Sequence, residues 1–254
     1  MSVLNAKNIK KIYGGKNVSN VTIALNSINF KVEEGEFIGI MGPSGSGKST
    51  LLNILSGIAK PSFGEVNING KNITDLHKDE MALFRRRNLG FVFQEFNLMD
   101  SLTLKENIML PMILDKKNRS EMESKSNEIM ELFDIAQIAD KYPCSISGGQ
   151  QQRVAVSRAL VNDPIIIFAD EPTGNLDSKS SNAVMTYMKK INNEKSSTIL
   201  MVTHDVFAAS FCKKIIFIKD GTINMEIISN GSRKEFFDRI LDCLAIIGGE
   251  RDDL

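Results

Sequence analysis

Hydrophobic and polar positions change rhythm several times along the chain. Residues 2–13 alternate loosely, with Val3, Leu4, Ala6, Ile9 and Ile12 among polar neighbours, and residues 21–32 repeat the trend through Ile23, Leu25, Ile28, Phe30 and Val32. A period of two predicts antiparallel strands with one wet face. Gly14-Gly15-Lys16-Asn17 predicts the turn between them, and Glu33-Glu34-Gly35-Glu36 predicts the next. Residues 37–41, 89–93, 165–169 and 197–202 are dominated by apolar runs that do not alternate. Such runs predict buried strands, and a fully apolar one such as 165–169 belongs inside a parallel sheet. A short strand is expected over 64–70, and a hairpin over 215–218 and 222–228 around Lys219-Asp220-Gly221. Helical spacing appears from 51, and over 75–87, 104–112, 120–133, 154–161, 178–191 and 233–247. The change of character over 103–142 predicts a helical insertion between two halves of an α/β core.

Composition narrows this little. The 254 residues carry 42% hydrophobic and 24% charged side chains, enough for a large core. Lys+Arg and Asp+Glu are both 31, which argues against a partner held by bulk charge such as nucleic acid. No apolar run approaches the length of a membrane span, and residues 1–7 lack a signal-peptide core, so a cytoplasmic product is expected. Cys144, Cys212 and Cys243 are widely spaced and do not cluster with His77 or His204, which predicts reduced thiols rather than a metal site.

The densest chemistry lies at Gly42-Pro43-Ser44-Gly45-Ser46-Gly47-Lys48-Ser49-Thr50, between the apolar run 37–41 and the start of a helix. Strand, glycine-rich loop and helix is the setting a G-x-x-x-x-G-K-[ST] match requires. Glycines let successive N–H groups point at phosphate oxygens, and the helix N-terminus adds partial positive charge. Lys48 can reach the β- and γ-phosphates, and Ser49 can ligate Mg²⁺. After the run 165–169, Asp170 can hold Mg²⁺ and Glu171 can accept a proton from an attacking water. Gln94 and His204 also follow apolar runs, where they can reach a site at the strand ends. Ser147-Gly148-Gly149-Gln150 reads as a second anion nest or as a plain N-cap. Tyr13 reads as partial packing or as a platform for adenine. Arg85-Arg86-Arg87 reads as a site for an acidic partner or, more commonly, a solvated helix end.

In this order the motifs resemble the ATP-binding subunit of ABC transporters, across nearly all of residues 2–228; Ile146 replaces the family's usual leucine, a volume-conserving difference. The resemblance implies an α/β P-loop NTPase with an ABC-type core and a mainly parallel sheet. It adds an N-terminal antiparallel β subdomain and a helical insertion subdomain. The ATPase domain would span 1–228, with its core at 1–94 and 160–228, its helical subdomain at about 95–159, and a helical tail at 229–254. Two copies would pair head to tail. ATP with Mg²⁺, held by Tyr13, Gly42 to Thr50 and Gln94 of one copy, would be capped by Ser147, Gly148, Gly149 and Gln150 of the other. Lys48, Glu171, His204 and Gln94 would act on the reaction, Ser49, Gln94 and Asp170 on the metal, and Asp177 would connect the two sites.

The stretches 91–98 and 171–177 look like the subgroup serving lipoprotein release and macrolide export. Within it, 204–212, 217–221 and 236–244 look like the bacitracin-export type. That resemblance implies a membrane permease as partner, a sensor kinase reached through it, peptide-antibiotic resistance, and a place at the inner face of the cell membrane. The competing expectation is an ATP-gated clamp on DNA or ribosomes. Clamps of this fold carry a long coiled-coil insertion or a second cassette, and this chain has neither.

Overall fold

The computed structural model describes residues 2–14 and 21–248. The predicted turn at Gly14-Gly15-Lys16-Asn17 therefore lies largely outside the described residues, as does the end of the predicted tail. Two sheets organise the rest. Strands β1 (Ser2–Tyr13), β2 (Thr22–Glu33), β4 (Phe63–Ile68) and β5 (Lys71–Asn72) form an antiparallel sheet in the order β2-β1-β4-β5. Strands β3 (Phe37–Met41), β6 (Leu89–Val92), β7 (Ile166–Asp170), β8 (Ile199–Val202), β9 (Lys214–Lys219) and β10 (Thr222–Ile228) form the second, in the order β10-β9-β3-β8-β7-β6. All its pairings are parallel except the β9–β10 hairpin.

The larger sheet is sandwiched, which explains its apolar runs. Alternate side chains of β3 enter different cores: Phe37 and Met41 join one, Ile38 and Ile40 the other. The first core takes in α3 (Leu104–Leu114), α4 (Arg119–Leu132), α5 (Gly148–Leu160) and α6 (Ser178–Lys195). The second takes in α1 (Lys48–Leu55), α2 (Lys78–Asn88) and the inner face of the antiparallel sheet. A four-residue helix α7 (Val206–Ala209) and a final helix α8 (Arg233–Gly248) close the first side. Phe236 and Ile240 of α8 are fully buried there, so that helix packs on its own domain.

Several expectations shift. Helix α2 begins at Lys78, three residues later than its pattern predicts, because a capping box at His77 and Glu80 sets the start. Helix α5 begins at Gly148, six residues earlier than predicted, through a capping box between Ser147 and Gln150. The three arginines end α2 as expected, with Arg87 still exposed, but each is tied to an acceptor of its own chain. Arg85 donates to the Gly57 carbonyl at 2.9 Å, Arg86 to the Leu114 carbonyl at 2.6 Å, and Arg87 pairs with Asp115 at 2.7 Å. The last two clip α2 to the C-terminal end of α3, where orphan carbonyls attract cations.

Candidate functional site

Because β3, β6, β7 and β8 are parallel, their C-terminal ends share one edge of the sheet. The residues at or just past those ends are the phosphate loop, Gln94, Asp170-Glu171 and His204. Ligands bind at this edge in open α/β sheets.

The loop is moulded by close backbone approaches. Gly42 has φ +148°, and a Cβ on it would stand 2.0 Å from the Ile218 carbonyl oxygen of β9. Gly47 has φ +101°, and a Cβ there would meet the Ala24 carbonyl oxygen of β2 at 2.5 Å. Gly221 in the β9–β10 turn donates to the Ser46 carbonyl at 3.2 Å. No side chain caps α1, so its first N–H groups stay open to an anion. The Lys48 ammonium donates to the carbonyls of Gly42 at 2.9 Å and Pro43 at 2.8 Å. Partial burial lowers its pKa, while Glu171 and Asp170 act to raise it.

A cavity of about 390 Å³ lies over this loop, lined by Ala24, residues of the loop from Gly42 to Thr50, Glu171 and His204. Glu171 sits in left-handed backbone, φ +47°. The carboxylate accepts from the His204 backbone N–H at 3.3 Å and lies 2.9 Å from the ring Nδ1. With Nδ1 protonated, His204 donates to Glu171. Asp170 is the site's metal candidate, and its surroundings fit a cation. Its Oδ1 is buried without a hydrogen-bond partner. Burial first, and Glu171 second, push its carboxyl above the ordinary value, against Lys48 and the Ser49 hydroxyl. A hard cation between Asp170 and Ser49 would satisfy that oxygen. Among the described residues no group of three or more His, Cys, Asp or Glu gathers around a metal position, at this site or any other. So few protein ligands are what a hard cation such as Mg²⁺ accepts, since it completes its shell with phosphate oxygens and water.

Other predicted residues lie apart from this cavity. Tyr13 is exposed, with the Lys11 ammonium 5.1 Å above its ring. The Gln94 Nε2 donates to Asn175 Oδ1 at 3.1 Å. Ser147 caps α5, its hydroxyl accepting from the Gln150 N–H at 3.3 Å while the Gln150 side chain accepts from the Ser147 N–H at 3.0 Å. Gly148 and Gly149 open that helix, and a Cβ on Gly149 would stand 2.7 Å from the Ser180 Oγ of α6. Asp177 caps α6, accepting from the backbone of Lys179 and Ser180 and, at 2.7 Å, from the Ser180 hydroxyl. These bonds hold its carboxyl below the usual range, the Ser180 hydroxyl most of all. Gly149 and Asp177 thus meet on Ser180. Neither Ser147 to Gln150 nor Asp177 lines the cavity over their own phosphate loop.

Sequence reasoning missed Asn175 and Gln152. Gln152, fully buried in α5, donates to the carbonyls of Phe93 at 3.2 Å and Pro172 at 2.6 Å, tying the roots of the Gln94 and Glu171 loops together. A polar amide among the apolar positions of α5 was its only signal.

Residues 25–174 match the profile of the ABC transporter family. The chain is 51% identical over 250 residues to the ABC transporter ATP-binding protein YvcR of Bacillus subtilis, covering 98% of this chain and 96% of that one. It is 47% identical, over the full length of both, to the bacitracin export ATP-binding protein BceA of Halalkalibacterium halodurans. It is also similar to the ATP-binding cassette MJ0796 of Methanocaldococcus jannaschii, solved as a dimer in a post-hydrolysis state bound to ADP and Pi. That similarity has a TM-score of 0.80 and 43% identity, over 90% of this chain and 100% of that one.

Proposed function

This chain belongs to the ABC transporter family as an ATP-binding, ATP-hydrolysing subunit, and on that premise we propose that two copies pair head to tail around two ATP molecules to drive a separate membrane permease. The observation that carries the reading is the Glu171–His204 contact of 2.9 Å beside the phosphate loop. Glu171 takes a proton from the attacking water, and His204 holds Glu171 in position and faces the γ-phosphate. Lys48 exchanges its two loop carbonyls for phosphate oxygens. The open N–H groups of the loop and α1 hold the β-phosphate, and Tyr13 offers its ring to adenine. Ser49, Asp170 and Gln94 would hold Mg²⁺, and the ion would supply neutralisation of the negative charge that develops on the phosphates.

Ser147, Gly148, Gly149 and Gln150 cap the nucleotide of the second copy. Two facts support this. They line no part of their own chain's phosphate cavity, and the similar cassette MJ0796 is dimeric. Asp177, at the neighbouring helix start, connects the two sites across the interface.

The permease docks in a groove of about 400 Å³ between the core and the helical insertion, whose apolar wall includes Phe91, Phe93, Leu110, Pro111 and Leu114. Among the described residues no helix is long and apolar enough to cross a membrane, so attachment at the inner face of the membrane runs through that partner. Identity of 47% with a bacitracin export subunit supports peptide-antibiotic resistance as the task, with a sensor kinase reached through the permease. The relatives reported above are named as transporter subunits, which leaves the DNA or ribosome clamp unsupported.

The test is Glu171→Gln. The variant is expected to bind ATP, hydrolyse it about 10²–10⁴-fold more slowly, and run as a dimer in ATP on size exclusion. Adding Ser147→Arg should abolish the dimer while leaving ATP binding to the single chain intact. Normal turnover by Glu171→Gln, or dimers that persist in the double variant, would refute the mechanism.

A further inference from the structure

Gln94 and Asn175 hold each other in a closed pair. The Gln94 side chain donates to Asn175 Oδ1 at 3.1 Å, and the Asn175 side chain donates back to the Gln94 carbonyl at 3.2 Å. The Gln94 side chain rests on Gly174. A Cβ at residue 174 would stand 2.9 Å from Gln94 Nε2 and 3.0 Å from its Cδ. Gly174 is not among the residues with positive φ, so its missing side chain serves this contact and not the backbone. Gln152 fixes the roots of both loops through Phe93 and Pro172. The pair can therefore open by side-chain rotation alone, without moving either loop.

We propose that Asn175 is a positioning residue that parks Gln94 on the Gly174 shelf, and that Gln94 must give up Asn175 before its amide reaches the metal and nucleotide. The inference rests on the metal role given to Gln94 above. The parked arrangement reduces the fraction of molecules ready to engage Mg·ATP. Apparent affinity falls in proportion to that fraction. Asn175 thereby sets the Mg·ATP concentration at which hydrolysis half-saturates, without touching the reacting atoms.

The experiment is steady-state hydrolysis by the purified full chain against Mg·ATP, with ATP binding in EDTA measured alongside. Asn175→Ala should lower the half-saturating Mg·ATP concentration by about two- to twelve-fold, the span of one net hydrogen bond, and leave binding in EDTA unchanged. In a Gln94→Ala background the same substitution should do nothing further, because the two residues act as a pair. Asn175→Ser, which shortens the amide to a hydroxyl, should repeat the effect in direction. Half-saturation that stays level or rises in Asn175→Ala, while Gln94→Ala is impaired, overturns the latch and leaves the metal role standing. An equal effect of Asn175→Ala with and without Gln94 makes it a merely structural residue and overturns the latch too. Full Mg²⁺-dependent turnover by Gln94→Ala removes the underlying role itself.

Discussion

Asp170→Asn separates the needs of the ligand-free fold from those of the metal. Asp170 Oδ1 is buried and unpaired, and the carboxyl is pushed up by burial and then by Glu171. A carboxyl whose folded pKa exceeds its ordinary value of 3.8 binds protons more readily folded than unfolded. Its cost to stability is absent below the unfolded pKa and complete above the folded one. The wild type bears the whole cost wherever the pH lies above that folded pKa. An unsatisfied buried group costs about 1–3 kcal/mol. The amide keeps part of that burden, so the relief is about 1 kcal/mol. In a domain of this size that raises the melting temperature by about 2–4 °C. Mg·ATP acts in the opposite direction. At a hundred times its Kd it stabilises the wild type by about 2.7 kcal/mol, or roughly 5–11 °C by the same conversion, and most of the Mg²⁺-dependent part should vanish in the variant. Scanning fluorimetry in EDTA, in Mg²⁺ alone, in ATP with EDTA and in Mg·ATP reads all four states. Repeating the EDTA scan toward pH 4 should shrink the gap between variant and wild type. A variant that melts below the wild type in EDTA at neutral pH, or keeps the full Mg·ATP shift, would show that Asp170 is not an uncompensated metal ligand.

Two further outcomes test the fold around the site. Arg86→Ala combined with Arg87→Ala should cost about 1–3 kcal/mol, most of it from the charged hydrogen bond to Leu114 and little from the partly exposed Asp115 pair, and hydrogen exchange should quicken in the last turn of α3. Iodoacetamide at mild alkaline pH should modify exposed Cys144 and spare Cys212, which is buried and whose thiol is pushed up strongly by that burial, with half-buried Cys243 between them; mass spectrometry of the native protein gives the order, and rapid loss of Cys212 would contradict its placement.

What the sequence disclosed and what it hid divide along physical lines. Residues 37–41 and 165–169 were legible as strands because burial on both faces leaves no polar position to confuse the pattern. The gathering of the phosphate loop, Gln94, Asp170-Glu171 and His204 at one sheet edge was legible because each lies at the end of an apolar strand. Short elements were not: β5, α7 and the two 3-10 turns at Ala136–Ile138 and Pro143–Ser145 are too brief to show a period. The start of α5 was misplaced because Ser147-Gly148-Gly149 has low helical propensity, and the reciprocal bonds of Ser147 and Gln150 override it. Partners distant in sequence were invisible. Gln94 and Asn175 are 81 positions apart, and only the parallel register of β6 and β7 brings the loops after them together. The partners of the arginine run were hidden for the same reason, since each acceptor sits 28 positions away, Gly57 upstream and Leu114 and Asp115 downstream.

The rear of the phosphate loop is built from the far end of the chain: the Ile218 carbonyl packs against Gly42, and Gly221 bonds Ser46. A nascent polypeptide still short of residue 214 already carries every loop residue, yet lacks the surface that shapes them. Tight capture of nucleotide is therefore expected only once synthesis has run past the β9–β10 hairpin. Half-made fragments released early should neither sequester ATP nor poison pairs of finished subunits.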